Sequence, residues 1–160
     1  MKISLIAATS ENGVIGRGKD VPWKVRGEQL IFKALTMNQW VLLGRRTYET
    51  AGPLPGRHLA VLSQDIPEPS ESDPLFFTDL DTALAALAER TDHLFVGGGG
   101  QLYQQLIEQA DTIHLSVIHA QVDGDVPFPD IPASFKKIYE QHFSSNIDYS
   151  YQIWEKMVGG

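Results

Sequence analysis

One acid stands out in the stretch VPWKVRGEQLIFKALTM, residues 21–37. On a helix starting near Arg26, Glu28 falls between Leu35 and Phe32. Those two belong to an apolar arc with Leu30, Ile31, Ala34 and Met37, whereas Gln29, Lys33 and Thr36 share the polar arc. A carboxylate on an apolar face has a raised pKa, because burial penalises its charged form. The plainer reading is an acid in the first turn of a helix, favoured by the dipole.

Two strand-to-helix junctions run through glycine. In WVLLG-RRTYE an apolar run ends at Gly44 and a short helix opens at Arg45 or Arg46. Free N–H groups and two guanidiniums there suit a phosphate, and a solvated basic turn explains the segment equally well. In LFV-GGGG-QLYQQL four glycines permit close backbone approach. The dinucleotide fingerprint fails, because Leu102 stands where its last glycine or alanine belongs. A phosphate cradle or a tight packing turn remains. Two such junctions in one parallel sheet favour a ligand, since open α/β sheets bind at the carboxyl ends of strands.

Other chemistries find little support. His58, His93, His114, His119 and His142 show no H-x-x-x-H or H-E-x-x-H spacing, so no metal is expected. Ser63 and Ser116 lie in no G-x-S-x-G elbow. The absence of cysteine removes disulfides and thiolate chemistry and fits a reducing cytoplasm. The N-terminal apolar run is short for a signal peptide, and no stretch approaches a membrane span. A formal charge of −7 argues against generic nucleic-acid binding. Lys33, Arg45, Arg46 and Arg57 would make a local basic site for a small anion if they converge.

The elements that must position these residues follow from periodicity. A chain of 160 residues, 42% of them apolar, fits one globular domain. Apolar runs at 3–9, 40–44, 58–63 and 93–97 predict central parallel strands. The more alternating segments 112–118, 136–143 and 149–156 predict antiparallel or edge strands. Helices are expected over about 26–37, 46–51, 79–90 and 100–109, the third capped by Thr78-x-x-Asp81. Residues 63–74 read as a surface loop. The order implies an α/β sheet with an antiparallel C-terminal part.

The ordered motifs GVIGRGKDVPW (13–23), Glu28 with FK-x-x-T (32–36), GRRTYE (44–49), PLPGR (53–57), VLS (61–63), GGGGQLY (97–103) and GDVPFP (124–129) resemble the dihydrofolate reductase family. The likeness covers essentially the whole chain. The Glu28-Gln29 pair after a glycine, with the terminus SSNIDYSYQIW, is similar to the trimethoprim-insensitive, mobile-element-borne bacterial branch. The resemblance implies a single domain over 1–160. Its fold would be a mixed, mostly parallel eight-stranded sheet flanked by four helices. The implied reaction is NADPH-dependent reduction of 7,8-dihydrofolate, with hydride to C6 and a proton to N5. A monomeric cytoplasmic enzyme without nucleic-acid or membrane partners is expected.

The resemblance also implies residue roles. Glu28, Trp23 and Ser116 would be catalytic, with Glu28 on the pterin's N3 and 2-amino edge. Ile6, Ala8, Gln29, Phe32, Lys33, Leu54 and Gly97 would line the substrate, and Arg57 would pair with its glutamate tail. Ala8, Ile15 and Gly16 would border the nicotinamide. Gly44, Arg45, Arg46, Thr47, Leu62, Ser63 and Gln64 would serve the cofactor's phosphates. Gly98, Gly99, Gly100, Gln101 and Leu102 would cradle its pyrophosphate, with a cis peptide at Gly98–Gly99. Residues 10–24 would form a mobile loop touched near Asp125. The chain departs from the commoner family pattern at Val21, Glu28, Gln29, Gly97 and Gln101. These departures are expected to weaken trimethoprim while sparing dihydrofolate; Gln101 leaves one cofactor contact in doubt. Within the same fold, a riboflavin-pathway reductase is the rival; outside enzymes, a nucleotide-binding module is.

Overall fold

A computed structural model describes residues 1–16, 25–51, 54–65 and 74–158. Along the chain the elements are β1 (Lys2–Ser10), β2 (Val14–Gly16), α1 (Glu28–Thr36), β3 (Trp40–Gly44), α2 (Arg45–Ala51), β4 (His58–Leu62) and β5 (Leu75–Phe77). Then come α3 (Leu80–Ala88), β6 (His93–Val96), α4 (Gly100–Leu106), β7 (Thr112–Ile118), β8 (Val126–Pro127), β9 (Phe135–Phe143) and β10 (Tyr149–Lys156). The main sheet has eight strands in the order β5-β4-β3-β6-β1-β7-β10-β9. The pairs from β5 to β7 are parallel, and β10 runs antiparallel to both β7 and β9. The expected eight-stranded sheet and four helices are therefore present among the described residues.

The apolar runs become central strands because both of their faces are covered. One face of the sheet buries Leu5, Leu42, Leu94 and Ile113 together with Leu87 of α3 and Leu106 of α4. The opposite face buries Ile6, Val41, Leu43, Leu59 and Phe95, against which Phe32 and Leu35 of α1 pack. At the edge, β9 is exposed over most of its length, and Lys136 and Lys137 discourage further pairing there.

Several expectations need correction. Residues 14–16 are not loop; β2 pairs with β8 in a separate two-stranded sheet, Val14 opposite Pro127 and Gly16 opposite Val126. Segments this short carry no readable period. The strand β5 (Leu75–Phe77), directly after the expected 63–74 loop, was not among the expected strands; residues 66–73 of that loop lie outside the described residues. Helix α3 is capped by Asp79, whose carboxylate accepts from the Thr82 N–H at 2.9 Å, and not by Thr78. Helix α1 is shorter than expected. Thr36, assigned to its polar arc, is fully buried, its hydroxyl donating to the Phe32 carbonyl at 2.7 Å. Leu30, assigned to the apolar arc, is 63% exposed.

One half-buried histidine gives the fold a pH dependence. His114 Nδ1 lies 2.6 Å from the Tyr151 hydroxyl on the face opposite α3 and α4. Burial, then the charges of Lys2 and His93, push His114 down from 6.5 to about 4. Between those values the unfolded chain binds the proton that the folded one refuses. Its stabilisation is thus complete above 6.5 and is lost as the pH falls toward about 4. Urea midpoints should decline across that window, and less so for His114→Asn.

Candidate active site

Glu28 is the first residue of α1, entered through Gly27 at φ 91°. The left-handed glycine sets the entry of the chain into α1 directly before the acid. A Cβ on Gly27 would meet the Tyr149 hydroxyl at 3.1 Å. Tyr149 is itself buried with Val25 and Ile118, with Ile31 packed against them. Gly27→Ala should therefore destabilise the protein by about 1–3 kcal/mol, through the backbone conformation and this contact. Thermal midpoints and binding of substrate analogues would check it, both expected to weaken.

Burial raises the Glu28 carboxyl above its usual value, and a hydrogen bond from Ser116 offsets part of that rise. Ser116 stands on β7 opposite Ala8 of β1, so two central strands fix the partner beneath the acid. Both descriptions of Glu28 hold: it is a first-turn acid, and it is half-buried, enough to raise its carboxyl. Tyr103 of α4 comes from the other side. Its hydroxyl donates to the Ile6 carbonyl at 2.6 Å, and burial, with the charge of Glu28, holds the phenol far above its ordinary value. Neither Tyr103 nor Tyr149 was expected from the sequence. Tyr103 closes the GGGGQLY motif, which was the available signal; Tyr149 sits on an alternating strand with nothing to distinguish it.

The pocket wall is apolar. Ile6 is buried with Val41, Leu43 and Phe95, and Phe32, Leu35 and Leu54 pack against them. Gly97 completes this wall, since a Cβ there would lie 2.8 Å from Leu43 Cδ2 and 3.5 Å from Phe32 Cε2. Gln29 and Lys33 are exposed on the outer side of α1. Arg57 is half-buried, and its Nε and Nη1 are buried without a hydrogen-bond partner. A buried donor with no acceptor costs about 1–3 kcal/mol, more on a charged group, so these atoms call for an anion. Trp23 and Val21 lie outside the described residues.

The two glycine junctions meet. The Gly44 N–H donates to the Gly98 carbonyl at 2.7 Å, and the Gly97 N–H to the Leu42 carbonyl at 3.0 Å. The Gly98–Gly99 peptide is cis, and Gly98 has φ 114°. A Cβ on Gly99 would press on Thr47 Oγ1 at 3.1 Å, and one on Gly100 on Val126 Cγ1 at 2.9 Å and Ile15 Cδ1 at 3.7 Å. A side chain at either position would crowd these neighbours, so glycine lets the two strand ends and α4 come this close. Beside it, Arg45 donates to Glu49 at 2.6 Å and to the Ser63 hydroxyl at 2.9 Å. Leu62 is half-buried at the end of β4; Arg46, Gln64 and Gln101 are exposed. The Leu102 side chain is buried in the core, so only its backbone can face a ligand.

The basic residues do not converge into one site. Arg57 precedes β4 and Ser63, bonded to Arg45, follows it. A five-residue strand separates them, a span of ~17 Å. There are two anion-seeking places, one at each end of β4. Among the described residues, no group of three or more histidines and carboxylates gathers as a metal site.

The described residues place a partly buried acid in an apolar pocket and a glycine-lined cleft at the strand ends of one α/β sheet. The profile of the family described as dihydrofolate reductase matches residues 2–156. The chain is 56% identical to dihydrofolate reductase type 6 of Proteus mirabilis over 98% of this chain and 99% of that one. It is 50% identical to dihydrofolate reductase type 1 of Escherichia coli, with the same coverage. A solved dihydrofolate reductase from Enterococcus faecalis, complexed with NADP(H) and RAB-propyl, is 26% identical and superposes with a TM-score of 0.87. That superposition covers 97% of this chain and 96% of the other. The chain belongs to the dihydrofolate reductase family.

Proposed function

We propose that this protein, as one domain over 1–160, reduces 7,8-dihydrofolate to tetrahydrofolate with NADPH. The observation carrying this reading is the pairing of two unmet demands across one apolar wall. At one end a buried carboxyl, Glu28, is supported by Ser116. At the other, Arg57 holds buried guanidinium nitrogens without a partner. A ligand with a protonatable heterocycle, a flat apolar middle and a carboxylate tail satisfies all three regions. A riboflavin-pathway reductase would need neither Arg57 nor the Glu28–Phe32 pair.

The residues fit NADPH as well. The glycines at 98–100, where a Cβ would crowd a neighbour, and Gly44 beside them let two strand ends approach closely enough to cradle a pyrophosphate with backbone N–H groups. Arg45 with Ser63 offers donors for a further phosphate at the end of β4, with Arg46, Thr47, Gln64 and the Gln101 backbone nearby in sequence. Ile15 and Gly16 border the cleft beside Gly100, with Ala8 opposite Ser116. When bound, NADPH supplies the hydride. The chain contributes alignment, exclusion of water by Ile6, Phe32 and Leu54, and a raised carboxyl at Glu28 that holds a proton near the pterin edge. That proton reaches N5 through water, since Glu28 binds the N3 side.

Loss of NADPH absorbance with dihydrofolate, measured for wild type and Glu28→Ala, tests this directly. Absence of wild-type turnover would sink the enzyme reading, and an equally active variant would sink the role of Glu28. We also propose that Glu28, entered through Gly27, sits differently from the commoner aspartate and weakens trimethoprim. Its inhibition constant should be well above nanomolar; a nanomolar value would remove this part of the account. The protein is proposed to act as a cytoplasmic monomer.

A further inference from the structure

Glu28 and Arg57 can serve one ligand only if a fixed distance separates them. Glu28 opens α1 and Thr36 closes it, about 12 Å apart along the axis. Met37 leaves the helix at ψ 129°, and Asn38 follows at φ 64°. Asn38 is the only non-glycine residue with positive φ among the described residues. A left-handed residue often ends a helix, with its N–H returned to a carbonyl of that same helix. Here the Asn38 N–H donates instead to the Gly56 carbonyl, at 2.7 Å. Gly56 is itself left-handed, φ 83°, in the turn closed by the Arg57 N–H on the Leu54 carbonyl at 3.3 Å. A Cβ on Gly56 would collide with Met37 Sδ. On the other side of Arg57, the His58 N–H donates to the Gln39 carbonyl at 2.9 Å. Arg57 is therefore tied, through both of its chain neighbours, to the segment that leaves α1.

We propose that Asn38 and Gly56 are positioning residues for Arg57: their clasp fixes its separation from Glu28 and makes the site selective for the length of an anionic substrate. The inference rests on the proposed function, in which Glu28 meets the heterocycle and Arg57 the carboxylate tail. The Asn38 side chain is exposed, so the clasp uses its backbone conformation. Asparagine and glycine adopt that conformation readily, and a β-branched residue does not. Arg57 Nε and Nη1 are buried. A buried guanidinium has little room to re-aim, so a shift of its backbone carries over to the carboxylate it holds. Leu54, which packs against the Ile6 wall, belongs to the same turn, so the clasp also sets where the flat middle of the ligand ends.

Steady-state kinetics with NADPH, dihydrofolate and its analogue without the glutamate test this. Asn38→Val should raise the KM for dihydrofolate by about 5–30-fold, the range that left-handed strain at one residue can transmit. Its kcat and its KM for NADPH should stay near wild type. Asn38→Gly, which keeps the left-handed turn, should match wild type throughout. Neither change should alter the KM for the analogue, and Asn38→Val should add almost nothing in an Arg57→Met background. A merely structural role would raise the KM for both substrates alike and would add to Arg57→Met. Either of those results, or an unchanged KM for dihydrofolate, would overturn the clasp while leaving the dihydrofolate reading intact. Absence of wild-type turnover would overturn that reading and this inference together. Should Asn38→Val fail to fold, Gly56→Ala strains the same junction and carries the same expectations.

Discussion

Glu28→Gln should lower kcat/KM for dihydrofolate by about 10²–10⁴-fold, the range typical of losing a positioned acid–base group. The same change should make the free protein more resistant to denaturation at neutral pH. The sign follows from the direction of the shift. Burial raises the carboxyl in the folded state, so ionising Glu28 is harder there than in the unfolded chain. Below its unfolded value both states are protonated and there is no penalty; the penalty grows as the pH rises through the folded value. A neutral amide at 28 removes the buried charge and keeps a partner for Ser116. Loss of activity with gain of stability is the pattern of a group retained for function. A variant that lost both would mark Glu28 as a structural acid, and its favourable place in the first turn of α1 would then be its whole role.

Arg57→Met should raise the KM for dihydrofolate by about 10–150-fold, from the loss of one or two charge-assisted hydrogen bonds worth ~1.5–3 kcal/mol. kcat should change far less, because the tail is remote from the reacting ring. Substrate lacking the glutamate should be turned over by wild type and variant with nearly equal KM. Arg57→Lys should not rescue, since a single ammonium cannot reproduce the planar fork. Folded stability should hold or rise, because the buried Nε and Nη1 lack a partner in the free protein. An unchanged KM for dihydrofolate would remove Arg57 from the substrate's recognition.

The sequence was most readable where one physical demand dominated. The runs at 40–44 and 112–118 became strands with those bounds, because burial on both faces or clean alternation leaves few options. The anomaly at Glu28 was visible from the helical wheel alone, and the buried, Ser116-bonded carboxyl bears it out. Two-residue and three-residue strands were invisible, since Val126–Pro127 and Val14–Gly16 form only by pairing with each other. The polar placement of Thr36 failed because its hydroxyl finds the Phe32 carbonyl within its own helix and can be buried at little cost. Arg57 and Arg45 are 12 positions apart in sequence, and only the strand between Arg57 and Ser63 shows that they serve opposite ends. Tyr103 escaped notice because its role depends on reaching the Ile6 carbonyl, 97 positions earlier.

The central claim is that Glu28 is a partly buried acid with a raised pKa that serves proton delivery during reduction of dihydrofolate. Single-turnover oxidation of NADPH, measured against pH in wild type and Glu28→Gln, tests it most directly. In wild type the rate constant should be highest while the carboxyl holds its proton and fall as the pH rises through its elevated value. In Glu28→Gln that dependence should flatten at a low rate. A variant with wild-type rates and an unchanged pH profile would contradict the account.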